Sequence, residues 1–258
     1  MVVFFMIDGL RPDAISAARC PAVAALLARG AATRQATSVM PSITLPCHMS
    51  IFHSVPPTRH GVTTNEWSPM ARPLPGLFEV AHAAGRRCAV FYNWEPLRNV
   101  SRPGSLAYAY FRDNVLTPLG DQVTAETAVQ VMAAERFDFA WVYFGTVDEA
   151  GHAHGWLSDG YFEQLARADQ ALQLVLQSLP ADSHVLLHSD HGGHERTHGT
   201  PAAEDMTIPW VVAGPRIRPG FTLPAPVSLL DTAPTLARLL DIAPHPQWEG
   251  RCVEEAFK

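Results

Sequence analysis

Three short segments of this chain concentrate side chains that bind cations or attack electrophiles. The densest is S-D-H-G-G-H-E-R-T-H-G-T at residues 189–200, which places Asp190, His191, His194 and His198 in a glycine-rich stretch. Imidazole and carboxylate donors together suit zinc, with manganese as the alternative. A polar surface loop is the blander explanation, but such a loop has little use for so many histidines. The second segment, D-E-A-G-H, separates Asp148 from His152 by a short glycine-containing turn, so that both could meet one cation. A solvated acid beside an incidental histidine reads equally well there. In the third, P-S-I-T-L-P-C-H-M-S at residues 41–50, Thr44 stands at a predicted helix start. Free N–H groups and the helix dipole favour a phosphate-like anion at that point. An ordinary N-cap threonine would look the same.

The elements that must position these groups alternate in type. Val2–Ile7 reads as a fully buried strand ended by Asp8-Gly9. A helix over residues 20–29 is expected to close on Gly30 in the left-handed conformation. A short helix over Pro46–His53, a helix over Leu77–Ala84 and a strand over Arg87–Tyr92 follow. Periodicity fades between Trp94 and Gln122, which predicts an excursion from the core, a small lid around residues 94–122. Then come a helix over Thr124–Arg136, a strand over Phe137–Phe144, a long helix capped by Ser158 and running to Leu179, strands over Ser183–His188 and Ile208–Ala213, and a helix over Leu229–Leu240. Strands alternating with helices predict a single three-layer α/β/α domain over residues 1–258 with a mainly parallel sheet. Asp8, Asp148 and Asp190-His191 each follow a predicted strand, and the carboxyl ends of parallel strands are where ligands bind.

Composition narrows the function. The 258 residues are 47% hydrophobic and 17% charged, which excludes intrinsic disorder. No apolar run reaches the roughly 20 residues of a membrane span. The net charge of −6, with lysine nearly absent apart from Lys258, offers no basic footprint for nucleic acid. Cys20, Cys47, Cys88 and Cys252 form no CxxC pair, so neither a disulfide framework nor a cysteine zinc knuckle is expected. The apolar start lacks a basic leader, from which a cytoplasmic protein with reduced thiols is expected.

Taken together, Asp8-Gly9, Thr44-x-Pro46-x-His48, Asn65, Asp148-x-x-x-His152, Asp190-His191-Gly192 and Thr197-His198-Gly199 occur in an order and spelling that resembles the alkaline phosphatase superfamily, in its type I phosphodiesterase/nucleotide pyrophosphatase branch. The likeness runs from the first strand to I-P-W-V-V-A-G-P at Ile208–Pro215. It implies two adjacent divalent cations, zinc or else manganese. Asp148, His152 and His198 would hold one; Asp8, Asp190 and His191 would hold the other, with Thr44 Oγ as a further ligand. Two divalent cations would balance three carboxylates and a Thr44 alkoxide. By the same resemblance Thr44 is the nucleophile, passing through a phosphothreonine, and Asn65 binds a phosphoryl oxygen alongside the Thr44 N–H. The substrate is then a small phosphodiester or nucleotide-like pyrophosphate.

Rival readings share this plan. Sulfatases resemble the chain at T-L-P-C-H, but they need cysteine or serine where Thr44 stands. Serine-dependent phosphoglycerate mutases need a large inserted domain. Phosphonoacetate hydrolysis and phosphomonoester hydrolysis on the same two-metal site remain alternatives. Arg11, His48, His53 and His60 read as structural partners rather than ligands, and Arg98 is the cation that could add charge to the pocket.

Overall fold

The computed structural model describes residues 1–224 and 226–258. Eight strands form one sheet: β1 Val2–Ile7, β2 Ala31–Thr37, β3 Cys88–Tyr92, β4 Tyr108–Phe111, β5 Phe139–Phe144, β6 His184–His188, β7 Thr207–Ala213 and β8 Phe221–Thr222. The helices are α1 Pro21–Arg29, α2 Thr44–His53, α3 Pro57–His60, α4 Leu77–Ala83, α5 Gly120–Ala134, α6 Thr146–His154, α7 Asp159–Ser178, α8 Ala203–Met206 and α9 Thr232–Leu239. The sheet order is β4-β3-β5-β1-β6-β7-β2-β8. All pairings are parallel except those of β7, which runs antiparallel to both β6 and β2. The expected α/β/α architecture is therefore present, with one reversed strand.

The layering follows from side-chain alternation along β1. Val2, Phe4 and Met6 join an apolar cluster with α2, α4 and α9, while Val3, Phe5 and Ile7 join one with α1, α5 and α7. Every residue of β1, β3, β5 and β6 is buried, as strands covered on both faces require. Ser158 caps α7 as expected, its hydroxyl accepting the Tyr161 N–H at 3.3 Å. The start of α1 is capped from afar, where Asp169 accepts the Ala22 and Val23 N–H groups at 3.0 and 2.8 Å.

Several expectations are corrected. Gly30 is extended, at φ −94°, not left-handed. It is glycine because a Cβ there would lie 2.5 Å from Val212 O on β7. Residues 94–122 contain a 3₁₀ turn at Glu95–Val100 and then β4, which pairs with β3 as the sheet's edge. β2 was not anticipated; its A-A-T-R-Q-A-T spelling buries only Ala31 and Ala36. Asp148 and His152 sit on a helix, α6, rather than across a turn. No helix among the described residues is long and apolar enough to cross a membrane.

Candidate metal centre

Topology brings the singled-out residues to one edge of the sheet. β5, β1 and β6 are neighbours and parallel, so their carboxyl ends release Asp8, the start of α6, and Asp190 side by side. β2 also runs parallel to β1, and its end leads through Ser38 to Thr44, the first residue of α2. Ser38 Oγ donates to Asp190 O, tying that approach to the β6 loop. Because β7 is reversed, the loop carrying His198 arrives at the same edge before β7 begins.

Two groups result. In the first, His191 Nε2 lies 3.3 Å from Asp8 Oδ1, 3.3 Å from Asp190 Oδ2 and 3.2 Å from Thr44 Oγ1, all buried. In the second, His152 Nε2 lies 3.3 Å from Asp148 Oδ2 and 3.2 Å from His198 Nε2, which is 3.7 Å from Asp148 Oδ1. One turn of α6 puts Asp148 and His152 on the same face, as i and i+4 residues must be. The second group is more open, the His152 side chain being 40% exposed. The groups touch where the His191 and His198 rings stack, 3.8 Å between centroids and 14° apart.

The tautomers decide what such a cluster can hold. His191, His152 and His198 each donate Nδ1–H to a backbone carbonyl, of Gly192 at 2.8 Å, Arg196 at 3.0 Å and Ser42 at 2.8 Å. A carbonyl can only accept, so in the neutral rings every Nε2 carries a bare lone pair. These lone pairs converge with carboxylate oxygens. Asp8 Oδ1, Asp148 Oδ1 and Asp190 Oδ2 are buried without a hydrogen-bond partner among the described residues. Acceptors that face acceptors out of water call for a proton or a cation between them. The electrostatics agree. Burial, then the charges of Asp190 and Asp148, raises the Asp8 carboxyl well above its ordinary range. Burial and Asp148 push Asp190 to about 8. Burial also opposes Asp148, but its bond to His152 and the charges of His191 and His198 hold it low. The His152 imidazole rises to about 9, chiefly through its bond to Asp148, and burial drops His191 to about 3. The donor set of each group, one or two carboxylates with one or two imidazoles, fits a divalent cation.

Thr44 and Asn65 occupy the helix start together. Asn65 Oδ1 accepts the Leu45 N–H at 3.0 Å, which ties the exposed Asn65 to the head of α2. Pro46 has no N–H and Cys47 N donates to Ile43 O, which leaves the Thr44 N–H beside its own hydroxyl.

Other candidates take structural partners. Arg11 binds Asp13 and Gly193 O; His48, His53 and His60 bond to Thr44 O, Met49 O and Ser50 Oγ. His194, from the same histidine-rich stretch as His198, pairs instead with buried Asp205 at 2.7 Å, and Asp205 also accepts from Thr200. Asp205 was missed, though an acid just ahead of an apolar strand is a visible signal. Tyr143 was missed too. Its hydroxyl donates to Asp8 Oδ2, leaving Asp8 Oδ1 for the cluster, and a lone phenol near the end of an apolar strand marks it.

Known proteins resemble this chain in sequence and in fold. Residues 2–199 match the family described as type I phosphodiesterase / nucleotide pyrophosphatase. Ectonucleotide pyrophosphatase/phosphodiesterase family member 1 of Rattus norvegicus is 24% identical over 215 residues, covering 74% of this chain and 24% of the relative. The chain thus spans about a quarter of that relative's length. Among solved structures, murine ectonucleotide pyrophosphatase/phosphodiesterase 5, an inactive form in complex with AMP, superposes with a TM-score of 0.83 at 14% identity, covering 100% of this chain and 99% of that one. Phosphonate monoester hydrolase from Silicibacter pomeroyi gives a TM-score of 0.75 at 15% identity, over 97% and 75% of the two chains. At such identities these structures speak for the fold alone.

Proposed function

The chain belongs to the type I phosphodiesterase/nucleotide pyrophosphatase family, and from that premise we propose that it hydrolyses phosphodiester or pyrophosphate bonds of small, nucleotide-like substrates with Thr44 as nucleophile. One observation carries the reading: three imidazole lone pairs and three buried carboxylates converge beside a threonine hydroxyl at a helix start. Asp8, Asp190, His191 and Thr44 Oγ would hold one divalent cation, and Asp148, His152 and His198 the other. Zinc is the ion we assign, from the imidazole-rich donor set. Such a pair supplies Lewis-acid stabilisation at the attacking and leaving oxygens of an in-line displacement.

The chain's own groups do the rest. Thr44 sits 4% exposed at the head of α2, so its hydroxyl meets phosphorus with little competing water. Thr44 Oγ loses its proton and bonds to phosphorus as the ester or anhydride oxygen leaves and takes up a proton; water then cleaves the phosphothreonine, which still carries the remaining substituent, releasing the phosphate monoester and restoring the Thr44 hydroxyl. The Thr44 N–H and the NH₂ of Asn65 would donate to a non-bridging phosphoryl oxygen, where charge grows in the transition state. Both donors are held by α2, Asn65 through its bond to Leu45.

A diester is the preferred class. A monoester brings one more negative charge and calls for a cationic side chain to meet it. The oxygen donors assigned here, the Thr44 N–H and Asn65, are neutral, and Arg98 and Arg59 lean toward surface carboxylates, Glu95 at 2.6 Å and Glu249 at 2.5 Å. The test is a hydrolysis panel on zinc-loaded protein with bis-nitrophenyl phosphate, nitrophenyl phosphate, a nucleoside triphosphate and phosphonoacetate. The diester should show the higher kcat/KM of the matched nitrophenyl pair. A tenfold or greater preference for the monoester overturns the diester reading.

A further inference from the structure

Trp156 lies just past α6, 7% exposed, against the more open of the two groups. Its indole stands edge-to-face with both imidazoles there, His152 at 5.2 Å and 85° and His198 at 5.9 Å and 68° between ring planes. The indole N–H donates to Gly9 O at 2.9 Å, beside Asp8, and the backbone N–H donates to Glu195 O at 2.8 Å. Two glycines make the slot. A Cβ on Gly151 would stand 2.6 Å from the ring, and one on Gly193 2.3 Å. Gly151 is on α6 between Asp148 and His152, and Gly193 is in the loop between His191 and His198. The indole is thus wedged between the two segments that carry this group and pinned to the turn that carries the other.

That position answers a need the imidazoles leave open. Away from the Nε2 atoms that would meet a cation, His152 and His198 are each held by one hydrogen bond, from Nδ1–H to a carbonyl, about which a ring can still tilt. His152 is also half open to water. A rigid aromatic ring packed edge-to-face against both imidazoles removes that freedom, which a cation would otherwise have to remove on binding.

We propose that Trp156 is a positioning residue that sets the cation affinity of the Asp148, His152 and His198 group. The inference rests on reading the two groups as cation sites. It assigns to an indole, which ligates nothing, the tilt of two imidazoles from different segments.

Zinc titrations in competition with a chromophoric chelator test it, run on wild type, His152→Ala, Trp156→Leu and Trp156→Phe, with Tm measured for each. Wild type should give two binding constants, and the one lost in His152→Ala identifies the open group. Trp156→Leu should weaken that constant ~10–100-fold, the range for losing an orienting neighbour, and leave the other unchanged. Trp156→Phe keeps an aromatic edge but cannot reach Gly9 O, and should weaken the same constant by at least about threefold, less than leucine does. If the leucine variant does not fold, the phenylalanine variant decides. Both constants unchanged, even with a lowered Tm, would make Trp156 packing alone and overturn the inference. A wild-type chain that takes up no zinc overturns the cation reading itself and the inference with it.

Discussion

In the cation-free chain, stability should fall as pH rises from 6.5 to 8, the reverse of what its buried histidines alone would give. Burial and the charge of Asp148 raise Asp190 to about 8, and Asp8 moves the same way. In the unfolded chain an aspartate loses its proton near about pH 4. Between those values the folded state holds at least one proton that the unfolded state has released, so unfolding gains free energy with each unit of pH. The rate is about 1.4 kcal/mol per unit per proton, or about 2 kcal/mol across this window. His152, raised to about 9, acts in the same sense; the histidines that burial lowers oppose it, but only near pH 6.5, where their unfolded forms are still about half protonated. Against a net stability of roughly 5–15 kcal/mol this is a large fraction. Urea unfolding in excess chelator, followed by tryptophan fluorescence, should show the midpoint dropping by about 1 M between pH 6.5 and 8. Asp190→Asn should make the slope shallower and raise the midpoint at pH 8, while lowering zinc content. Saturating zinc should abolish the slope in wild type. A midpoint in chelator that holds steady or rises would refute the reasoning.

Thr44→Ala should abolish turnover, by several orders of magnitude, while the protein still folds and retains its cations by elemental analysis; activity above about a tenth of wild type removes Thr44 as nucleophile. Asp148→Asn and His191→Ala should each lower metal content, and chelator should inactivate wild type reversibly; full activity in excess chelator with no metal detected contradicts the two-cation reading. Acid should destabilise the fold between pH 6.5 and 4. Burial lowers His53 and His60 to about 4 and His188 to about 3, so the unfolded state takes up protons there that the folded state refuses. Each of His53 and His60 can contribute about 3 kcal/mol of loss over that window, read as a falling denaturation midpoint in a pH series.

The sequence made some of this legible for physical reasons. β1, β5 and β6 are unbroken apolar runs because helices cover both faces, and the acids that end them stand out against that background. Thr44 was visible because Pro46 and the apolar residues after it announce a helix. β2 escaped notice because it lies toward the sheet's margin between β7 and two-residue β8, so most of its side chains meet water. Yet β2 is the strand that delivers Thr44. The helical state of Asp148–His152 was hidden by Gly151, which reads as a turn but is there to admit an indole. Tyr143 acts through Asp8, 135 residues away, and Asp205 through His194; the residue types are visible locally, but which partner each takes is not.

The sheet order also governs how the chain can reach its native state. β1 occupies the middle, between β5 and β6, and Val2 is paired with both Phe139 and His184. An apolar strand near the amino end must therefore wait, edges bare, until more than half of the chain is available to flank it. Contacts so distant in sequence slow folding and prolong the exposure of sticky intermediates. A ribosome stalled before His184 would hold a central strand with one side open, a substrate for chaperones or for pairing with a neighbouring nascent chain. The cluster at the sheet edge forms only after β6 and the His198 loop arrive, so its completion marks the end of that wait.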